Sequence, residues 1–168
     1  RLKHVVITSV DRDDLPDLGA SHWAKTINTI KKVNPETTIE TLIPDFEARE
    51  DLLNIVINAG PTIISHNIET VERISNNIRR KKQYQTSLLS LKILSSSFPI
   101  VKSGIMLGLG ETEEEVLSTM DDLVTAGCQI LTIGQYLQPT SNNIPVLKYY
   151  STQEFENFRN LAIKKDSG

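Results

Sequence analysis

The sequence is poor in cysteine. Cys128 is the one thiol in 168 residues, which excludes a disulfide framework, a paired-thiolate zinc site and an iron–sulfur cluster held by these residues alone. Placed between Gly127 and the apolar Ile130-Leu131, it reads as a small buried hydrophobe. Long hydrophobic runs are also missing, since no apolar stretch approaches the roughly 20 residues that span a bilayer. So is a basic excess. A net charge of −3 and a pI near 5.6 leave no positive field of the kind that recognises nucleic acid or an acidic membrane, and neither is expected as a partner. The basic run Arg79-Arg80-Lys81-Lys82 is short and reads as a solvated helix end or loop. No Met opens the chain. Arg1 leads straight into an apolar strand, as if the start were cut, and any targeting segment would lie outside the sequence.

What the sequence does contain is a repeated alternation, with a hydrophobic share of 39% that suffices for a single core. Residues 2–8 are β-branched and apolar, and the charged stretch Asp11 to Asp17 ends them. The spacing of Trp23, Ile27 and Ile30 predicts a helix over about 21–33, closed by Lys31-Lys32 and Asn34-Pro35. The pattern returns as a strand over 38–43, the turn Pro44-Asp45 and a helix over 50–59 stopped by Gly60-Pro61. It returns again as a strand over 62–65, an irregular basic stretch and a helix over 84–97 stopped by Pro99. A fourth strand, 101–107, leads into a helix whose Thr112 and Glu115 have capping-box spacing. A fifth, 129–133, precedes a polar loop and a helix capped by Ser151 and Glu154.

Apolar strands separated by helices call for a parallel sheet covered on at least one face. The expected class is α/β, a TIM-like barrel or part of one, with a flat doubly wound sheet as the alternative. About five β/α units cannot close an eight-stranded barrel, so residues 1–168 are expected to form a partial barrel domain.

In parallel α/β folds ligands sit at the carboxyl ends of the strands, which places the residues after each strand on one rim. That rim reads Thr8-Ser9-Val10-Asp11-Arg12-Asp13-Asp14, Pro44-Asp45, His66-Asn67-Ile68-Glu69, Gly108-Leu109-Gly110-Glu111 and Gln135-Tyr136-Leu137-Gln138-Pro139. Singly each is ordinary loop chemistry; together, polar groups at every strand end point to a binding rim. The Gly108 and Gly110 turn lacks the third glycine and the lysine of the nucleotide fingerprints, and its glycines suit close approach to a flat adenine or ribose. Glu111 reads either as part of that site or as a favourable charge at a helix N-terminus. His66 has no second His or Cys at ligand spacing and reads as a hydrogen-bonded structural histidine. Ser9 has no nucleophile elbow around it.

The segments Val5-Val6-Ile7-Thr8-Ser9-Val10-Asp11-Arg12-Asp13-Asp14-Leu15-Pro16-Asp17, Pro44-Asp45-Phe46, His66-Asn67-Ile68-Glu69-Thr70-Val71, Lys102-Ser103-Gly104-Ile105-Met106-Leu107-Gly108-Leu109-Gly110-Glu111-Thr112 and Thr132-Ile133-Gly134-Gln135-Tyr136-Leu137-Gln138-Pro139 resemble, in order and spacing, the lipoyl synthase family of radical S-adenosylmethionine (SAM) enzymes. The family pattern has Gly-Gly-Ala where this sequence has Leu18-Gly19-Ala20. The resemblance implies a partial (β/α)6 barrel of the radical SAM type. In it a [4Fe-4S] cluster reduces SAM to a 5′-deoxyadenosyl radical, which takes hydrogen from carbons 6 and 8 of an octanoyl group on a carrier-domain lysine. A second [4Fe-4S] cluster then supplies two sulfurs. The implied partners are an octanoylated lipoyl-carrier domain or glycine-cleavage H protein, and an electron donor such as ferredoxin or flavodoxin. The implied location is the cytoplasm, or an organellar matrix in a eukaryote.

The family holds its radical cluster through an upstream C-x3-C-x2-C motif, and its auxiliary cluster through further upstream cysteines and a serine near the C-terminus. None of these ligands is matched in this chain. The expectation is therefore an internal fragment, inactive alone, whose first strand is the barrel's second and whose parent continues past Gly168. Carried over by position, Thr8, Ser9 and Asp11 match the segment that meets the methionine amino group, and Asn67 and Glu69 the segment that reaches the ribose hydroxyls and the carboxylate. Lys102, Ser103, Gly108, Gly110 and Glu111 match the strand and loop near adenine and ribose, and Gln135, Leu137 and Pro139 the last strand edge. Arg12, Asp14 and Asp45 are assigned toward the octanoyl-lysine peptide. No acid–base pair stands out, which suits chemistry that the cofactor performs and the protein positions. Two other readings remain: a non-catalytic barrel piece that binds a nucleoside or nothing, and another sulfur-inserting radical SAM enzyme of the biotin synthase kind.

Overall fold

The computed structural model describes residues 2–78 and 83–166, so the basic run Arg79 to Lys82 lies outside the described residues. Five strands, His4–Thr8 (β1), Thr38–Leu42 (β2), Ile63–Ser65 (β3), Val101–Leu107 (β4) and Ile130–Gln135 (β5), pair in chain order, every pair parallel. The helices between them are Ala20–Val33 (α1), Glu50–Ala59 (α2), Glu72–Ile78 (α3), Gln83–Ser97 (α4) and Glu113–Thr125 (α5), with Thr152–Asp166 (α6) at the end. The sheet curls into a half-barrel, not a flat doubly wound layer.

Pairing register sorts the side chains onto two faces. Ile39, Ile64, Val101, Ile105 and Leu107 face the helices and are at most 3% exposed, packed with Trp23, Ile27, Leu53, Leu91 and Val116. The opposite, concave face carries Val6, Glu40, Ser65, Lys102, Gly104 and Thr132. It is open at both ends of the sheet: β1 and β5 alternate between exposed and half-buried positions, whereas β4 is buried except at Lys102 and Met106, which are half-buried.

Several boundaries follow local chemistry. Thr112 and Glu115 form the expected capping box, with the Thr112 Oγ1 accepting from the Glu115 amide and the Glu115 carboxylate from the Thr112 amide. The Ser151 and Glu154 side chains likewise reach each other's backbone N–H, at 3.3 and 2.8 Å. Asp17 starts α1 by accepting from the amides of Gly19 and Ser21, and its carboxyl is held at about 2, chiefly by Ser21. Two features depart from the sequence reading. α3 stands within the stretch read as irregular, with Ile74 and Ser75 buried. And Phe46–Ala48, after β2, is a tight turn whose three residues all have φ between +47° and +55°.

Candidate functional site

A cleft of about 570 Å³ opens at the carboxyl ends of β1 to β3. Thr8, Ser9, Asp11 and Arg12 line one wall, Asp45 and Glu47 another, and Asn67 and Glu69 a third. These side chains come from loops far apart in sequence, brought together because parallel strands end at one rim. The cleft is rich in carboxylates, and the one arginine lining it among the described residues is already engaged: Arg12 donates from Nε and Nη2 to the two carboxylate oxygens of Asp14, each at 2.7 Å.

The walls are held in uncommon backbone states. Glu69 has φ +73°, and its amide and carbonyl bond to Gly104 and Met106 at 3.0 and 2.8 Å, extending the β3–β4 pairing beyond the strand. The left-handed turn Phe46–Ala48 is secured by the Asp45 carboxylate, which accepts from the Glu47 amide, by Ser90, which donates to the Asp45 carbonyl, and by the buried Phe46 ring. Leu18 has φ +50° at the position where the family pattern carries glycine. Non-glycine residues in such states cost on the order of 1–3 kcal/mol each and persist where the surroundings hold them.

The floor below the cleft is polar. On the concave face Glu40 accepts from Lys102 Nζ at 2.8 Å and from Ser65 Oγ at 2.9 Å, and His4 Nε2 lies 3.9 Å away. Burial pushes the Glu40 carboxyl up, but its Lys102 and Ser65 partners outweigh burial and leave it below the ordinary value. The sequence offered a signal for this group, a glutamate inside the apolar Thr38–Leu42 strand, that rim-based reading passes over.

The expected site residues therefore divide. Thr8, Ser9, Asp11, Arg12, Asp45, Asn67 and Glu69 share the cleft, and Asp14 sits behind it on Arg12. Lys102 is paired with Glu40 in the floor, and Ser103, fully buried, turns to the helix side, where its Oγ accepts from the Ile68 amide. Gly108, Gly110, Glu111 and Gln135 form a second constellation at the ends of β4 and β5. The Glu111 carboxylate accepts from the amides of Gly108 and Leu109 and from the Tyr150 hydroxyl, at 2.7, 2.9 and 2.9 Å. Gln135 bonds the carbonyls of Tyr136 and Lys148 and the amide of Tyr150. The segment 147–150 thus lies as a strap over the glycine turn, its Leu147 amide donating to the Gly108 carbonyl. Burial, with the Glu111 contact, raises the Tyr150 hydroxyl pKa. Leu137 and Pro139 are exposed beyond β5. His66 bonds the Ile43 carbonyl and Ser87 through its two ring nitrogens, a structural arrangement. Glu47 and Tyr150 were not singled out from sequence, and nothing in their neighbourhoods marks them there.

Among the described residues no group of three or more His, Cys, Asp or Glu side chains is placed to hold a metal ion. Cys128 is half-buried, and burial pushes its thiol up to about 12, the reverse of a ligating thiolate. No helix of the described residues is long and apolar enough to cross a membrane.

Comparison with known proteins agrees with this geometry. The model of the radical SAM superfamily matches residues 1–123. The chain is 58% identical over 164 residues to the lipoyl synthase of Parabacteroides distasonis, and 56% and 52% identical over 165 residues to those of Phocaeicola vulgatus and Treponema denticola. Each alignment covers 98% of this chain but only 57–58% of the relative. Among solved structures, methylornithine synthase superposes with a TM-score of 0.71 at 12% identity, covering 97% of this chain and 48% of that one.

Proposed function

Because the chain belongs to the radical SAM superfamily, we propose that it forms the SAM-binding part of a lipoyl synthase, an enzyme that inserts two sulfur atoms into a protein-bound octanoyl group. The observation that carries this reading is the convergence of Thr8, Ser9, Asp11, Asn67 and Glu69 on one cleft, within a chain 52–58% identical to curated lipoyl synthases.

The donor set suits SAM. Carboxylates and hydroxyls from β1 are matched to an ammonium group, and the Asn67 carboxamide and Glu69 carboxylate to a sugar diol, all fixed on rigid strand ends. Bound SAM supplies the hydrogen-abstracting species; the residues of this chain orient the nucleoside and amino-acid ends. Arg12 and Asp45 in the cleft walls, with Asp14 held on Arg12, are assigned toward the octanoyl-lysine segment of a lipoyl-carrier protein, with a ferredoxin or flavodoxin as the electron source and the bacterial cytoplasm or an organellar matrix as the setting. The residues of this chain do not fit the two [4Fe-4S] clusters, whose ligands belong to segments it does not contain. The 168-residue chain alone, reconstituted with iron and sulfide, is expected to take up no stoichiometric cluster by iron analysis, since one thiolate cannot hold it.

The test uses the full-length protein. Asn67→Ala or Glu69→Ala should weaken SAM binding about 5-fold to 150-fold, the loss of one hydrogen bond of roughly 1–3 kcal/mol, and lower 5′-deoxyadenosine formation while the fold survives. Wild-type SAM affinity in both folded variants would remove the assignment.

A further inference from the structure

Glycine in the middle of a strand has no side chain to pack and loses more backbone freedom on folding than any other residue. Gly104 stands at the centre of β4, the best-buried strand, with a backbone outside the left-handed region. Its conformation therefore does not require glycine. Space does. A Cβ built there would lie 2.6 Å from Asn67 Oδ1, so the carboxamide would have to move, and 3.0 Å from Asn67 Cγ and from Thr132 Oγ1, a tight contact. Asn67 is the cleft residue that follows β3, and Thr132 is the register partner of Gly104 on β5. The Gly104 carbonyl also accepts from the Glu69 amide, so the residue that makes room for Asn67 also ties down Glu69.

The geometry points to Gly104 as a positioning residue: its missing side chain leaves the space in which the Asn67 carboxamide lies against β4, and this sets the cleft's polar wall for SAM. The role rests on the reading of the cleft as a SAM site. Thr132, whose hydroxyl donates to the Ser103 carbonyl at 3.2 Å, stands beside Gly104 on the neighbouring strand.

The experiment is a double-mutant cycle in the full-length, cluster-loaded protein with two readouts, melting temperature and SAM affinity by calorimetry. In an extended strand that tolerates alanine, Gly→Ala ordinarily stabilises. Here Gly104→Ala must displace the Asn67 carboxamide, so its effect on the melting temperature should be less favourable with Asn67 present than in the Asn67→Ala background. Gly104→Ala and Asn67→Ala should each weaken SAM binding about tenfold, and the double variant should bind no more weakly than Asn67→Ala alone. A thermal effect of Gly104→Ala that is the same in both backgrounds, or losses of SAM affinity that multiply, would overturn the proposal. Absence of SAM binding by the wild-type full-length protein would instead sink the reading of the cleft, and the thermal cycle would still decide the Gly104–Asn67 contact.

Discussion

At the scale of single residues, the strongest constraints are carboxylates that bind backbone or arginine. Glu111 is 9% exposed and satisfies three donors at once. Glu111→Ala should strand two buried amides at a cost on the order of 1–3 kcal/mol, read as a fall in melting temperature of roughly 2–4 °C per kcal/mol. Glu115 is held from its ordinary 4.5 down to about 2, first by Arg73 and then by the Thr112 amide. A depressed carboxyl stabilises the fold above its unfolded value and loses that contribution as pH falls through its folded one. Thermal melts should therefore decline between about pH 4.5 and 2, and Arg73→Met, which removes the first cause, should flatten that decline. An unchanged acid profile in Arg73→Met would show that the ion pair between Arg73 and Glu115 contributes nothing.

At the scale of elements, strands and helices were largely legible because each carries its own signal. The capping box of α5 is written in Thr112 and Glu115, and β4 carries Val101 and the apolar Ile105-Met106-Leu107. The rim was legible as a set, since strand ends in a parallel sheet must converge; which residues face the cleft was not. Ser103 and Lys102 are neighbours on one strand yet point to opposite faces, and only pairing register assigns them. α3 and the left-handed turn Phe46–Ala48 were missed for a physical reason: tertiary contacts impose them. Left-handed backbone is disfavoured by roughly 1–2 kcal/mol per residue outside glycine, so no local pattern announces it, and the buried Phe46 decides. Ala48, at φ +54°, gives the test. Ala48→Gly should raise the melting temperature by about 2 °C, the strain relieved being partly offset by unfolded-chain entropy. A lower value would mean that the turn is not strained.

At the scale of the whole molecule, a curled sheet with two unpaired edges exposes backbone donors and acceptors along β1 and β5, a template for association. Val6 on β1 is 59% exposed on the concave face. The chain is expected to self-associate with rising concentration in sedimentation experiments, and Val6→Lys to reduce this by placing charge at the edge. The two halves of the rim differ in another way. Around the cleft the side chains face an open space; at the ends of β4 and β5 the strap 147–150 already holds Gln135, the Gly108 carbonyl and, through Tyr150, Glu111. A ligand laid across the rim would thus be selected by two different rules. Its end over β1 to β3 would be chosen by hydrogen-bonding groups, where an analogue lacking one is penalised steeply. Its end against the strap would be chosen by outline alone, where analogues differing by a methyl group or a ring atom are separated by little.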